Sequence, residues 1–245
     1  MSATTFLTLV KNVDRFKRDE VATNVILEGH VPGKMRDFTS VCFTAKDGEE
    51  NVHVVTFRAL VDYLCIGTDD DYVRVPLNPL SAQRIADVTT TTLPTTKIVD
   101  IVWGAASNKL DPLPWGPPYD ASMMSTARIP VHNARINAEL KSTYCDPTQL
   151  TAGHKKDVVV SNALETHSKS VAIYGWHKKN GEPIQPLYVG HENLYCDYSH
   201  GIRLIDRECI IDSQSHDILA VLSDPMLSVL LSSEGQLRVL RQPNA

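Results

Sequence analysis

Apolar residues Phe6, Leu9, Val10, Val13 and Phe16 recur at spacings of three, one, three and three, which predicts one amphipathic helix from about Thr5 to Thr23. The stretch "FTSVCFTAKDGEENVHVVTFRAL" then alternates apolar and polar positions on both sides of Asp47-Gly48, the pattern of a β-hairpin. "DYLCIG" and "YVRVPL" read as two more strands about an acidic turn, with Asp69 to Asp71 as turn residues rather than cation ligands. Pro79 and Pro94 each open a short helix, since proline is tolerated in the first turn.

Pro112, Pro114, Pro117 and Pro118 interrupt the pattern and exclude regular helix or central strand. Because this tract also carries Trp115 and Tyr119, it reads as an ordered loop lying over the second half and bordering its pocket. Ile129 to Ser142 returns to helical spacing through Ile129, Ile136 and Leu140. From Val158 the chain reads as strands: "DVVVS", "SVAIYGW", "IQPLYVG", "NLYCDY" and "GIRLI", with a hairpin turn at Asn180-Gly181. A helix broken at Asp224-Pro225 ends the chain. The sum is an α+β fold with a largely antiparallel sheet and flanking helices. It is divided either into lobes 1–110 and 111–245 joined near the proline tract, or built as one integrated domain.

The chain has 245 residues, with hydrophobic content of 42% and charged content of 22%, values that suit a folded globular protein rather than a disordered one. A formal charge of −5 with scattered basic residues offers no field for nucleic acid, so no such partner is expected. No window approaches the roughly 18 apolar residues of a membrane span, and the N-terminal stretch lacks a secretory pattern. Five cysteines without a CxxC pair suggest free thiols in a reducing compartment, and hence a cytoplasmic, soluble protein.

Chemistry concentrates in "HENLYCDYSHGIRLID" and in the histidines near the strand ends. His154, His177, His191 and His200 each fall at or beside a predicted strand end, where a rigid scaffold can hold binding groups. A hydroxyl or thiol needs a neighbouring base to act as nucleophile near neutral pH. Cys196 or Ser199 is therefore the candidate nucleophile and His200 or His177 the base, with Arg203 and Lys155 as an anion-binding pair. Lys155 and Lys156 also read as a solvated strand entry. His154, His191, Tyr198 and Trp176 would complete the pocket wall. The expected function is hydrolysis or acyl transfer at an amide or ester, acting on a small molecule or peptide without a cofactor. Two alternatives stand beside it: a zinc-like divalent metal centre built from the four histidines with Asp157 or Asp197, and a non-catalytic binding module lined by the tryptophans and tyrosines.

The run Ser199-His200-Gly201-Ile202-Arg203-Leu204 resembles the S-H-G-C-I-R-L signature of L,D-transpeptidases, and "YGWH" lies upstream where that family carries a second histidine-containing strand. The resemblance covers six residues and one distant histidine, and implies cysteine acyl-enzyme chemistry on peptidoglycan. The cysteine that follows glycine in the signature is missing here, where Ile202 follows Gly201 directly, so the family's nucleophile has no counterpart.

Overall fold

A computed structural model describes residues 1–245. Helices α1 (Ala3–Leu9) and α2 (Arg15–Leu27) lead into strands β1 (Phe38–Lys46), β2 (Val52–Leu60), β3 (Cys65–Gly67) and β4 (Tyr72–Arg74). Helices α3 (Pro79–Val88) and α4 (Thr96–Ala105) flank β5 (Thr91–Thr92), and β6 (Asn108–Lys109) precedes the proline tract. After α5 (Arg128–Ser142) come β7 (Thr151–Ala152), β8 (Lys156–Val158), β9 (Ser170–His177), β10 (Pro183–Glu192), β11 (His200–Gly201), β12 (Ile205–Ile211) and β13 (Gln214–Asp217). Helix α6 (Ile218–Ser223) follows.

The fold is α+β. One sheet has the order β1-β2-β12-β13 with β5 also on β12, and a second has the order β10-β9-β8-β11. All pairings within them are antiparallel except the two-residue β8–β11 ladder. Strand β12, from late in the chain, pairs with β2, and one hydrophobic core draws Phe6, Phe57, Ile85, Val158, Ile205 and Leu222 together. The expected boundary at 110/111 is thus crossed by both a sheet and a core.

Local chemistry explains where expectation and structure part. The helix expected from Thr5 to Thr23 is two helices, because the Asp14 carboxylate accepts the backbone N–H groups of Phe16 and Lys17 and starts α2 afresh. Phe6 and Val10 are fully buried, whereas Leu9 and Phe16 are 55% and 48% exposed, so the apparent stripe spans two unrelated faces. The hairpin forms with Phe38 opposite Leu60 and Lys46 opposite Val52. Its turn is a longer loop, closed by Asp47 accepting from Glu49 and Asn51 and by Glu50 at φ 67°. The predicted strand "NLYCDY" is irregular instead, since Asp197 folds the backbone into a turn. Its carboxylate accepts the Ser199 N–H at 2.7 Å and its carbonyl accepts the His200 N–H at 3.2 Å.

Candidate functional site

The turn at Asp197 sets the floor of a 520 Å³ cleft between the proline tract and the second sheet. Trp115 and the largely exposed Tyr119 line it from the tract, Trp176, Tyr195 and Tyr198 line it from the second half, and Lys156, Asp197 and Ser199 supply the polar floor. The expectation that the tract borders the pocket is met, and Trp115 donates its backbone N–H to the Tyr198 hydroxyl at 2.7 Å. Tyr198 packs edge-on to Trp115 and His132, with ring centroids 4.7 and 4.9 Å away.

Asp197 is already engaged. Its Oδ1 accepts the Ser199 hydroxyl at 2.5 Å in addition to the Ser199 N–H, and its Oδ2 accepts the Tyr195 hydroxyl at 3.0 Å. Burial opposes its ionisation, but the charges of His200 and Lys156 and the Ser199 bonds hold the carboxyl down to about 2. Asp197 is therefore an anion that fixes the floor. Ser199 donates to it and has no imidazole within hydrogen-bonding distance.

The expected catalytic pairs do not form. His177 and His200 lie on different faces of the second sheet. Gly175 and Trp176 both have positive φ, 98° and 57°, which breaks the alternation of β9, turns Trp176 into the cleft and sends His177 toward α4. There its Nε2 lies 2.9 Å from Asp100 Oδ1 and its ring stacks on Trp103 with centroids 5.6 Å apart. His200 pairs with Lys156 in the ladder and is fully buried beneath Tyr195, with neither ring nitrogen hydrogen-bonded. Burial pushes its pKa down to about 4. Cys196 is buried, its sulfur 3.8 Å from the Asp197 carbonyl, and burial with the charge of Asp19 pushes the thiol well above its ordinary range.

The expected anion-binding pair is also taken up inside the protein. Arg203 donates to the Leu60 carbonyl at 2.6 Å and the Thr151 carbonyl at 2.7 Å, with its guanidinium over Tyr63. Lys155 donates to the Tyr198 carbonyl at 2.7 Å, and burial pushes its pKa down to about 8. His154 is 3.1 Å from Asp62, within a buried network that includes Arg74 and Lys34. Only His191, stacked on Tyr195 at 3.9 Å, joins Ser199, Tyr198 and Trp176 at the cleft. The four histidines thus do not converge, and no group of three or more histidine, cysteine or acidic side chains is placed to hold a metal ion.

Lys156 is the residue that sequence reasoning missed as a cleft group. Nothing in "GHKKD" distinguishes it from Lys155, but strand alternation sends the two to opposite sides, and the ladder with His200 decides which faces the opening. The Ser199–Leu204 run, which carries the resemblance to L,D-transpeptidases, is buried throughout. No family model matches the chain, and neither a curated protein nor a solved structure matches it.

Proposed function

We propose that the cleft beneath the proline tract binds a small organic molecule or short peptide, seated between aromatic rings and oriented by Lys156, Ser199 and His191. The observation that carries this reading is an opening of 520 Å³ with rings on both walls and a few polar groups on its floor. That size and lining suit small-ligand sites. The reading needs no cofactor. Five free thiols suit a reducing, cytoplasmic setting, with neither nucleic acid nor membrane as partner.

Hydrolysis or acyl transfer at an amide or ester is the second reading, favoured by one observation: Ser199 and a partly desolvated Lys156 open on the same cleft. A lysine whose charged form is disfavoured can take a serine proton, as in serine–lysine pairs. In this form the Ser199 hydroxyl would turn from Asp197, pass its proton to Lys156 and attack the carbonyl, and Lys156 would return that proton to the departing amine or alcohol, while His177, His200 and Cys196 would make no bond to substrate.

The test is a ligand-detected NMR screen of aromatic acids, amides and dipeptide esters against the protein and against Ala121→Trp, a change at the exposed rim that fills the opening. Ligands should bind the parent chain and lose binding in the variant. Ligands that bind both equally sit elsewhere, and that outcome overturns the reading. Ester turnover abolished by Ser199→Ala would place the second reading above the first.

A further inference from the structure

Hydrogen-bonding capacity around the cleft is unbalanced. The acceptors on its floor are committed: both oxygens of Asp197 hold protein donors, and the Tyr198 hydroxyl accepts from Trp115. The Ser199 and Tyr195 hydroxyls are spent on Asp197, but other donors are not. Lys156 is half-buried, its ammonium 5.0 Å from the centre of the Trp176 ring, and that ammonium makes no hydrogen bond or ion pair within the protein. Trp176, 6% exposed, has its indole N–H without an acceptor. Arg128 and Arg135 lie over the Trp115 ring at 4.9 and 5.2 Å; Arg128 has a buried Nη1 without a partner while its Nη2 donates to Ser122, and Arg135 donates to the Leu113 carbonyl.

A half-buried ammonium with no partner in the protein gains a charge-assisted hydrogen bond when an anionic oxygen reaches it. A neutral or cationic ligand would leave Lys156 unpaired. Two carboxylates oppose Lys156: Asp197 on the floor, which feels its charge but spends its oxygens on Ser199 and Tyr195, and the exposed Asp120 at the mouth, which accepts from the Ser122 N–H and lies near Arg128.

We propose that the ligand of this cleft is a small organic anion, a flat molecule bearing a carboxylate or phosphate, with its anionic group on Lys156 and its flat face against Trp176 and Trp115. This rests on the cleft being a binding site. Cation–π contact with Trp176 holds Lys156 in place in the free protein, and a ligand oxygen completes its coordination.

The experiment is calorimetric titration with matched pairs that differ only in charge. The carboxylate arm is indole-3-acetate against indole-3-acetamide and benzoate against benzamide. The phosphate arm is phenyl phosphate against phenol and adenosine monophosphate against adenosine. The protein is used as the full chain, as Lys156→Met, as Lys156→Arg and as Ala121→Trp. In at least one arm the anion should bind about tenfold or more tightly than its neutral partner. Lys156→Met should erase that difference, and Lys156→Arg should restore it. The arm showing the preference identifies the anionic group. If acid and neutral partner bind equally and both are lost in Ala121→Trp, the anion proposal is overturned and the binding cleft stands. If no pair binds, or Ala121→Trp changes nothing, the cleft reading falls and the proposal with it. Should Lys156→Met fail to fold, the comparison within each pair on the parent chain still decides.

Discussion

Lys155 donates to a backbone carbonyl in the interior, whereas Lys156, one residue on, meets the cleft with its ammonium unpaired. Cys196 and Ser199 show the same dependence on surroundings. Ser199 has its hydroxyl fixed by a carboxylate, and Cys196 is sealed from solvent among groups that disfavour its thiolate. Since the thiolate is the reactive form, Cys196 should alkylate far more slowly than the exposed Cys42 at neutral pH. Mass spectrometry of the native protein after timed iodoacetamide treatment measures this. Labelling of Cys196 at or above the rate of Cys42 would return it to consideration as a nucleophile.

Among the elements, Arg203 joins strands distant in sequence: its fork reaches the carbonyl of Leu60 at the end of β2 and that of Thr151 in β7. Arg203→Met would leave both carbonyls without this donor and Asp157 without its nearest cation, so a loss of about 3–5 kcal/mol is expected from urea unfolding. A loss below about 1 kcal/mol would show that the fork is not structural. Most elements were legible in the sequence because their signals are local: alternation in β1 and β2, proline at the start of α3 and just before α4, and Asn180-Gly181 between β9 and β10. The break before α2 was hidden because Asp14 lies between two apolar runs whose spacing happens to continue. The site was half legible. The cluster from His191 to Ser199 and the bordering tract were found. The facing of His177, Trp176 and the two lysines was not, because it depends on positive φ at Gly175 and Trp176 and on the register of β8 with β11.

At the scale of the molecule, the protein encloses three histidines in surroundings that favour their neutral form. Burial pushes His154 and His200 from 6.5 down to about 4, and pushes His132 down as well. Each binds a proton more readily in the unfolded chain, so its stabilising contribution is complete above pH 6.5 and is lost as pH falls from there toward 4. Asp157 and Asp19 act in the opposite sense: burial raises Asp157 from 3.8 to about 6 and raises Asp19 as well, so their contributions are full below 3.8 and are lost as pH rises through their folded values. The histidines outnumber them, and stability should fall by about 1–3 kcal/mol per pH unit as pH falls across that window. Urea midpoints at pH 7, 5.5 and 4.5 measure this, and a flat profile would contradict it.

The proposed ligand would occupy one cleft on one side of the second sheet, and the three tryptophans report on that placement. Trp115 and Trp176 line the cleft, whereas Trp103 stacks on His177 beside α4. The most direct measurement is the indole N–H region of a ¹⁵N-labelled sample titrated with a bound member of the anion series. The account predicts that the Trp176 and Trp115 resonances shift together while Trp103 stays in place. A shift of Trp103 alone, or saturation by ligand with Trp115 and Trp176 unmoved, would contradict it.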